Sequence, residues 1–177
     1  MSLPSPPLPV KPLVSLILAQ PSLEAAVFRE LAQLLGPPDM VSAWLAFDQT
    51  RYYAPEMGEK LHRRLAVFLP LADPGQLCHW KTATNELEQC FSLGGRRLVN
   101  LDPGYLARER LVLATGKNYS HRLYLGQGLY GEVTLMFQKG AWQPLPWTYP
   151  DYAGPQLLEF FSQARKKYLW QLRQISE

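Results

Sequence analysis

Apolar residues in the first part of the chain form continuous runs that alternate with stripes at helical spacing. The run from Leu13 to Ala19 predicts a buried strand over residues 12–19. A helix is predicted to follow, with Ser22 as its N-cap and Gly36-Pro37-Pro38 at its end. The apolar stripe of this helix consists of Leu23, Val27, Phe28, Leu31, Leu34 and Leu35.

The next apolar segments predict two strands and a second helix. Residues 41–47 indicate a second strand, residues 48–58 a polar and aromatic loop, and residues 61–71 a third strand. Asp73-Pro74 is typical of a helix start, since Asp caps and Pro suits the first helical position. The apolar face of this second helix carries Leu77, Trp80, Thr84, Leu87 and Phe91.

The second helix is predicted to stop at Gly94-Gly95, and a fourth strand over residues 96–101 follows. Asp102-Pro103-Gly104-Tyr105 then predicts a turn, because Pro presets φ and Gly accepts positive φ. The resulting βαββαβ order is that of a ferredoxin-like fold, in which two helices cover one face of an antiparallel sheet.

Beyond this core the pattern predicts more sheet and a last helix. Strands are expected over residues 111–115, 121–125 and 129–137, then a crossing segment over 142–152, and a helix that starts at Gly154-Pro155. We therefore expect one α+β domain over residues 12–177, with a ferredoxin-like core extended by a C-terminal hairpin and a final helix. Residues 1–11 are Pro-rich and are expected to be flexible.

The register of the predicted hairpin decides which of its side chains share a face. A two-residue turn would set Leu123 across from Glu132. A three-residue Gly-Gln-Gly turn, with its last glycine left-handed, would instead pair Arg122 with Glu132 and Tyr124 with Tyr130. We favour the second register because it pairs opposite charges and aromatic rings. It also leaves three apolar residues together for the core: Val133, Leu135 and Phe137.

Composition narrows the class of protein. The chain of 177 residues is 47% hydrophobic and 19% charged, which is typical of a globular domain. Its net charge is +3 and it has no long basic run, so we expect no binding of duplex nucleic acid. The run from Leu13 to Ala19 is too short to span a bilayer, so no membrane segment is expected. Cys78 and Cys90 lie on one predicted helix, about 18 Å apart by helical rise, so they are expected to be free thiols in a cytoplasmic protein.

Polar residues that could bind or react concentrate in the second half of the chain. His121 and Glu132 are the candidates for moving a proton. Residues of cationic, amide, carboxylate and aromatic type are the candidates for ligand contacts: Lys81, Asn85, Glu86, Arg97, Asn100, Asp102, Lys117, Arg122, Tyr124, Trp147 and Asp151. Plain structural explanations stay open, namely an exposed polar helix face and a cross-strand salt bridge between Arg122 and Glu132.

Two motifs with defined chemistry are absent. Gly116-Lys117 resembles the end of a phosphate-binding loop, but Leu111 stands where the first glycine belongs and Asn118 replaces the Ser or Thr. Carboxylates of the type that magnesium prefers occur without a diagnostic spacing, so no metal site is predicted and the cofactor is unknown. They are Glu86, Asp102, Glu132 and Asp151.

Three segments carry a resemblance to a known family: Asn100–Tyr105 (NLDPGY), Tyr119–Gly126 (YSHRLYLG) and Pro144–Tyr152 (PLPWTYPDY). With them the chain resembles a bacterial family of small proteins known as a domain of unknown function, some of which carry an automatic label of GTP-binding protein. Tyr53 to Gly58 and Thr84-Asn85-Glu86-Leu87 also fit, so the resemblance covers nearly the whole chain. It implies no activity or cofactor, and no Walker loop or Asn-Lys-x-Asp motif supports the GTP label.

Two functions therefore remain. The first is a protein, with or without catalysis, that binds a small anionic, phosphate- or nucleotide-like ligand between the second helix, the Asp102 turn and the hairpin. The second is an interaction module that binds a protein or single-stranded nucleic acid on an exposed sheet, without catalysis. Homo-oligomerisation through the apolar sheet or the last helix also stays open.

Overall fold

The computed structural model describes residues 1–47 and 53–175, which build one large antiparallel sheet with helices on both faces. The strands are β1 (Lys11–Leu18), β2 (Pro38–Val41), β3 (Leu45–Ala46), β4 (His62–Phe68), β5 (Ser92–Leu93), β6 (Arg96–Arg97), β7 (Val99–Leu106), β8 (Arg110–Thr115), β9 (Leu123–Gly126), β10 (Leu129–Gln138) and β11 (Ala141–Pro144). The helices are α1 (Glu24–Leu35), α2 (Ala54–Met57), α3 (Leu77–Cys90) and α4 (Pro155–Ile175), with single 3-10 turns at Pro21–Leu23 and Pro74–Gln76.

The order of strands in the main sheet is β11-β10-β8-β7-β1-β4-β2, with β3 also paired to β4 and β9 to β10. Each of these neighbouring pairs is antiparallel. The predicted mixture of helices with an antiparallel sheet and a C-terminal helix is confirmed. The chain joins the sheet early, since Val10 bridges to Ala72 and Lys11 is fully buried beside Asp39.

Helices cover both faces of the sheet, and this explains the continuous apolar run of β1. One face packs against α1 and α3 through residues such as Leu31 and Trp80, and the other packs against α4 through Phe161 and Tyr168. Every residue of β1 is therefore buried, whichever face it points to. Each large apolar side chain that is fully buried in this way contributes about 1.5–3 kcal/mol to the free energy of unfolding. No helix in the described parts of the chain combines the length and the apolar character needed to cross a membrane.

The start of α1 and the predicted second strand differ from expectation. Ser22 lies within a 3-10 turn, and no side-chain hydrogen bond caps α1. The predicted strand over residues 41–47 is instead two short strands, β2 and β3, which pair one after the other with β4. The predicted loop over residues 48–58 lies partly outside the described residues, and its remainder contains the short helix α2.

The predicted turn from Asp102 to Tyr105 is wrong, because these residues lie inside β7. Gly104 is not left-handed; an added Cβ would lie 2.2 Å from the carbonyl oxygen of Val112 on β8. The glycine permits two strands to approach closely, where the sequence pattern indicates a turn. The second helix also ends earlier than predicted, at Cys90, and Gly94-Gly95 connects β5 to β6 instead.

The favoured hairpin register is confirmed, since Tyr124 pairs with Tyr130. The turn itself has three residues with positive φ, Gly126, Gln127 and Gly128, and a register shift after Leu129 restores the predicted pairing. The expectation that Val133, Leu135 and Phe137 share the core is wrong. A second register shift, between Val133 and Leu135, turns Val133 toward α1 and α3, whereas Leu135 and Phe137 pack on the α4 side.

Candidate functional site

A wedge-shaped opening between β7 and β8 contains a polar cavity. The two strands pair only from Gly104 to Leu106, against Leu111 to Leu113. The first half of β7 pairs with β1 alone, so its other edge is left without a strand. The cavity that opens there has a volume of about 830 Å³, within the roughly 300–1,000 Å³ typical of ligand pockets. We call it the wedge cavity.

Side chains from α3 replace the missing strand at Leu101. The Leu101 N–H donates a hydrogen bond to Glu88 Oε1 at 2.6 Å, and Lys81 Nζ donates one to the Leu101 carbonyl oxygen at 3.0 Å. Buried backbone groups must be paired with hydrogen-bond partners. These two side-chain hydrogen bonds therefore allow the edge of β7 that faces the cavity to lack a neighbouring strand. The polar face predicted on this helix is thus directed partly inward, with Lys81 and Glu88 buried.

A chain of ion pairs extends from these two side chains along one wall of the cavity. Lys81 Nζ lies 3.3 Å from Asp102 Oδ1, and Arg97 lies 2.6 Å from Glu88 and 2.9 Å from Glu56. Burial raises the pKa of the Glu88 carboxyl, although Lys81, the Leu101 N–H and Arg97 all act to lower it. Arg97 therefore forms ion pairs with two carboxylates, those of Glu56 and Glu88.

Arg63 on β4 forms the floor of the cavity beside these ion pairs. Its guanidinium lies 4.6 Å from the ring centre of Phe47 and 5.0 Å from that of Tyr152, and it forms an ion pair with Asp151. Burial raises the pKa of the Tyr152 hydroxyl. The pairing with Asp151 fastens the end of the segment that precedes α4 to β4.

The opposite wall is built from the loop after β8 and from the hairpin. Glu132 is buried on β10, and its Oε2 accepts a hydrogen bond from Arg122 Nε at 2.8 Å and lies 2.9 Å from His121 Nε2. Arg122 also donates to the Lys117 carbonyl oxygen at 3.0 Å and bonds Tyr149. Although burial acts to lower it, the contact with Glu132 raises the pKa of Arg122. The salt bridge between Arg122 and Glu132 is thus partly buried, with Glu132 as its buried partner, in contrast to the solvated pair that the plain structural explanation assumed.

Trp147 holds the loop before α4 against the irregular part of β10. Its Nε1 donates a hydrogen bond to the Val133 carbonyl oxygen at 2.8 Å, and Thr148 Oγ1 donates to the next carbonyl oxygen, that of Thr134, at 2.5 Å. The His121 ring stacks on Trp147, with centroids 4.9 Å apart and planes 9° apart. Trp147 and Thr148 therefore donate hydrogen bonds to the carbonyl oxygens of Val133 and Thr134, which the register shift leaves without strand partners.

The structure brings many of the predicted site residues together. Nine of the proposed residues line the wedge cavity: Lys81, Asn85, Arg97, Asn100, Asp102, Lys117, Arg122, Glu132 and Asp151. Four do not line it. Glu86 is exposed on α3, Tyr124 packs on Tyr130, and His121 and Trp147 stack on each other.

Sequence reasoning missed several residues of the cavity. The missed side chains that line it include Tyr53, Glu56, Arg63, Glu88 and Tyr152. Arg63 is adjacent to Arg64 in the sequence, and such a pair of charged residues is typical of solvated surface. The alternation of Leu61, Leu65 and Val67 around it would have placed Arg63 at a buried position of β4.

Charges of both signs are equally numerous among the described residues of the lining. Five side chains are cationic and five are carboxylates: Arg63, Lys81, Arg97, Lys117 and Arg122, against Glu56, Glu88, Asp102, Glu132 and Asp151. Among the described residues, no cluster of three or more His, Cys, Asp or Glu side chains is placed to hold a metal ion. The cavity therefore offers strong hydrogen-bond donors and acceptors together.

The chain belongs to the family described as Domain of unknown function (DUF4416), whose model matches residues 8–168 of the 177 residues. The family resemblance seen in the sequence motifs is thereby confirmed. No curated protein and no solved structure is significantly similar to the chain.

Proposed function

We propose that this DUF4416 protein binds a small anionic ligand of phosphate- or nucleotide-like chemistry in the wedge cavity. The observation that carries the proposal is the convergence of five cationic side chains on one cavity of about 830 Å³. Arginine and lysine are the side chains that bind phosphate and carboxylate groups most strongly. The volume is also sufficient for a ligand well beyond the size of inorganic phosphate.

The accessible groups of the cavity suggest separate roles. Lys117 is exposed on the loop after β8 and is the cation that an entering anion meets first. Asn85 is exposed at the rim and offers an amide, whereas Asn100 is held by its hydrogen bond to Asp102 at 2.8 Å. Tyr149 lines the cavity with half of its surface exposed, which provides a face for a ligand ring.

The proposal is tested by a thermal-shift series with inorganic phosphate, pyrophosphate and nucleoside mono-, di- and triphosphates. A ligand at 100 times its Kd adds about 2.7 kcal/mol of stability to the native state, so binding raises the Tm. We expect Lys117→Met to remove that shift and Lys166→Met, an exposed lysine on α4 outside the cavity, to preserve it. The proposal fails when no probe stabilises the wild-type protein, or when both variants respond alike.

A second candidate function, an interaction module, rests on the exposed strand β9. Leu123 and Tyr124 are 72% and 63% exposed, and Leu125 is also exposed. A smaller cavity of about 450 Å³, lined by Leu77, Leu123 and Leu125 among others, lies beneath them. An apolar exposed strand is a typical docking site for a protein chain. Fluorescence anisotropy with single-stranded oligonucleotides and light scattering across a concentration series would detect the nucleic-acid and self-association forms of this function.

We also propose that β1, α1, β2, β4, α3 and β7 form a ferredoxin-like core in a cytoplasmic bacterial protein. The strand order β7-β1-β4-β2 and the common face of α1 and α3 support the core. The free thiols Cys78 and Cys90 support a reducing compartment. Cys90 is exposed and Cys78 half-buried, so the test of the location is whether both stay reduced in cells.

A further inference from the structure

The carboxylates of the wedge cavity are the groups that a purely anionic ligand would leave unused. Cations and carboxylates are equal in number among the lining residues that the structure describes, so the formal charges of these residues cancel. A polyanion that enters such a cavity gains from the cations but is repelled by the carboxylates. A ligand with a positive group as well as a negative one would match both sets of side chains.

The two signs are distributed unevenly between the walls of the cavity. The wall formed by α2, α3, β6 and β7 joins three carboxylates to two cations by direct contacts: Glu56, Glu88 and Asp102 with Lys81 and Arg97. The opposite wall contains two cations, Lys117 and Arg122, and one carboxylate, Glu132. Arg122 contacts Glu132 and donates to the backbone carbonyl oxygen of Lys117. The first wall thus has a formal excess of one negative charge and the second an excess of one positive charge.

Asp102 is the carboxylate of the negative wall that is best suited to receive a positive group. Glu88 is buried and both of its oxygens are occupied, by the Leu101 N–H and by Arg97. Glu56 retains 61% of its side-chain surface, so solvent screens its charge. Asp102 is partly buried, with 26% of its side-chain surface exposed, and its contact with Lys81, at 3.3 Å, is the longest ion pair of this wall. Asp102 Oδ2 accepts a hydrogen bond from Asn100 at 2.8 Å, and each carboxylate oxygen can accept a second donor. Its charge also reaches into the cavity, where it acts to raise the pKa of Tyr53 after the larger effect of burial.

We infer that the ligand of the wedge cavity is zwitterionic, with its anionic group at Lys117 and Arg122 and an ammonium group at Asp102. This inference rests on the proposed function, because it assigns a substrate class to the same site. The chemical class is a small phosphorylated or carboxylated amine. Such a ligand places each charge beside the wall of opposite sign, and its low net charge suits a lining whose own charges cancel.

The test compares two probes that differ by one ammonium group: O-phosphoethanolamine and ethyl phosphate. Their Kd values are measured by isothermal titration calorimetry with the full-length protein. A hydrogen-bonded charge pair in a partly buried site corresponds to about a tenfold or larger change in affinity. We therefore expect O-phosphoethanolamine to bind the wild-type protein at least about tenfold more tightly than ethyl phosphate.

Three variants test which residue causes the preference for O-phosphoethanolamine over ethyl phosphate. Asp102→Asn keeps the shape of the side chain and removes its charge, so it should bring the ratio of the two Kd values close to one. Glu86→Gln removes a carboxylate of α3 that does not line the cavity, and it should leave the ratio unchanged. Lys117→Met should raise the Kd of both probes by a similar factor, because it removes a contact to the phosphate group that they share.

The outcomes separate this inference from the proposed function. Equal binding of the two probes, lost in Lys117→Met, would overturn the zwitterionic ligand and support the anion site. A preference for the amine that survives in Asp102→Asn would overturn the assignment to the negative wall. Binding of neither probe at millimolar concentration would overturn the zwitterionic ligand, and the nucleotide and pyrophosphate series then decides the anion site independently.

Discussion

Replacement of Gly104 by alanine should strongly destabilise the protein, because β7 and β8 touch at this residue. An added Cβ would lie 2.2 Å from the Val112 carbonyl oxygen, 2.8 Å from Leu113 Cδ2 and 3.2 Å from Leu113 Cα. Two of these three atoms belong to the backbone of β8, which is fixed by pairing to β10. Overpacking costs about 1–3 kcal/mol, and a rigid backbone neighbour places Gly104→Ala near 3 kcal/mol.

Urea unfolding followed by circular dichroism measures this cost. With a slope of about 2 kcal/mol per molar urea, 3 kcal/mol lowers the midpoint by about 1.5 M. Gly116→Ala is the matched control, since no atom lies within 4 Å of its added Cβ and it is not left-handed. Gly104→Asn tests whether Gly104 lies in a strand or in a turn. Asparagine tolerates a left-handed backbone in a turn, but in this strand it should lower the free energy of unfolding more than alanine does. Equal midpoints for the two alanine variants, or a milder effect of asparagine, would refute the close approach of the strands.

Other predictions follow from the buried contacts of the cavity walls. Glu88→Ala leaves the buried Leu101 N–H without its acceptor and leaves Arg97 with Glu56 alone, so it should cost about 3 kcal/mol as judged by urea unfolding. Glu86→Ala should stay within about 0.5 kcal/mol in the same assay. Because burial raises the pKa of Glu88 above its usual 4.5, its ionisation opposes folding. The stability that the neutral carboxyl provides is present below pH 4.5 and is lost as the pH rises through the raised pKa. Glu88→Gln cannot ionise, so in this variant the free energy of unfolding should fall less over that pH range. An unchanged pH profile of stability would contradict the burial of Glu88. Trp147→Phe keeps a ring on His121 but removes the hydrogen bond to Val133, and it should lower the free energy of unfolding by about 1 kcal/mol; no loss would show that this bond is not formed in solution.

Local patterns in the sequence were sufficient for much of the fold. The apolar run of β1, the stripe of α1 and the start of the segment before α3 at Asp73 all lie where periodicity and capping rules place them. Pairing of opposite charges and of aromatic rings also identified the hairpin register at Tyr124 and Tyr130. These features depend on neighbours in the chain or on a single turn, so sequence rules describe them well.

Features that depend on distant strands were not predictable in the same way. Gly104 lies in a strand because β8 passes close to it, whereas Asp-Pro-Gly alone is typical of a turn. Val133 is separated from Leu135 by a register shift that the alternation of apolar residues does not reveal. The partners that cover Arg63, Asp151 and the ring of Tyr152, come from a distant segment of the chain, so the sequence near β4 does not identify them.

The site was predicted in part for the same reason. Residues of the candidate set that lie near one another in sequence, such as Lys117 and Arg122, do face one cavity. The opening itself arises from the divergence of β7 and β8, and from the two α3 side chains that satisfy Leu101. Neither of these two features has a local sequence pattern. The hydrogen bonds of Lys81 and Glu88 to the Leu101 backbone could therefore be identified only from the structure.

The most direct test of a ligand site in the wedge cavity is a titration followed by amide chemical shifts in two-dimensional nuclear magnetic resonance. Inorganic phosphate and O-phosphoethanolamine are added to the isotope-labelled protein, and the shifted amides are assigned. We predict the largest shifts at Leu101, Thr115 and Lys117, which border the opening between β7 and β8. Shifts confined to the exposed strand of Leu123 to Leu125, or no saturable shift at all, would contradict the site.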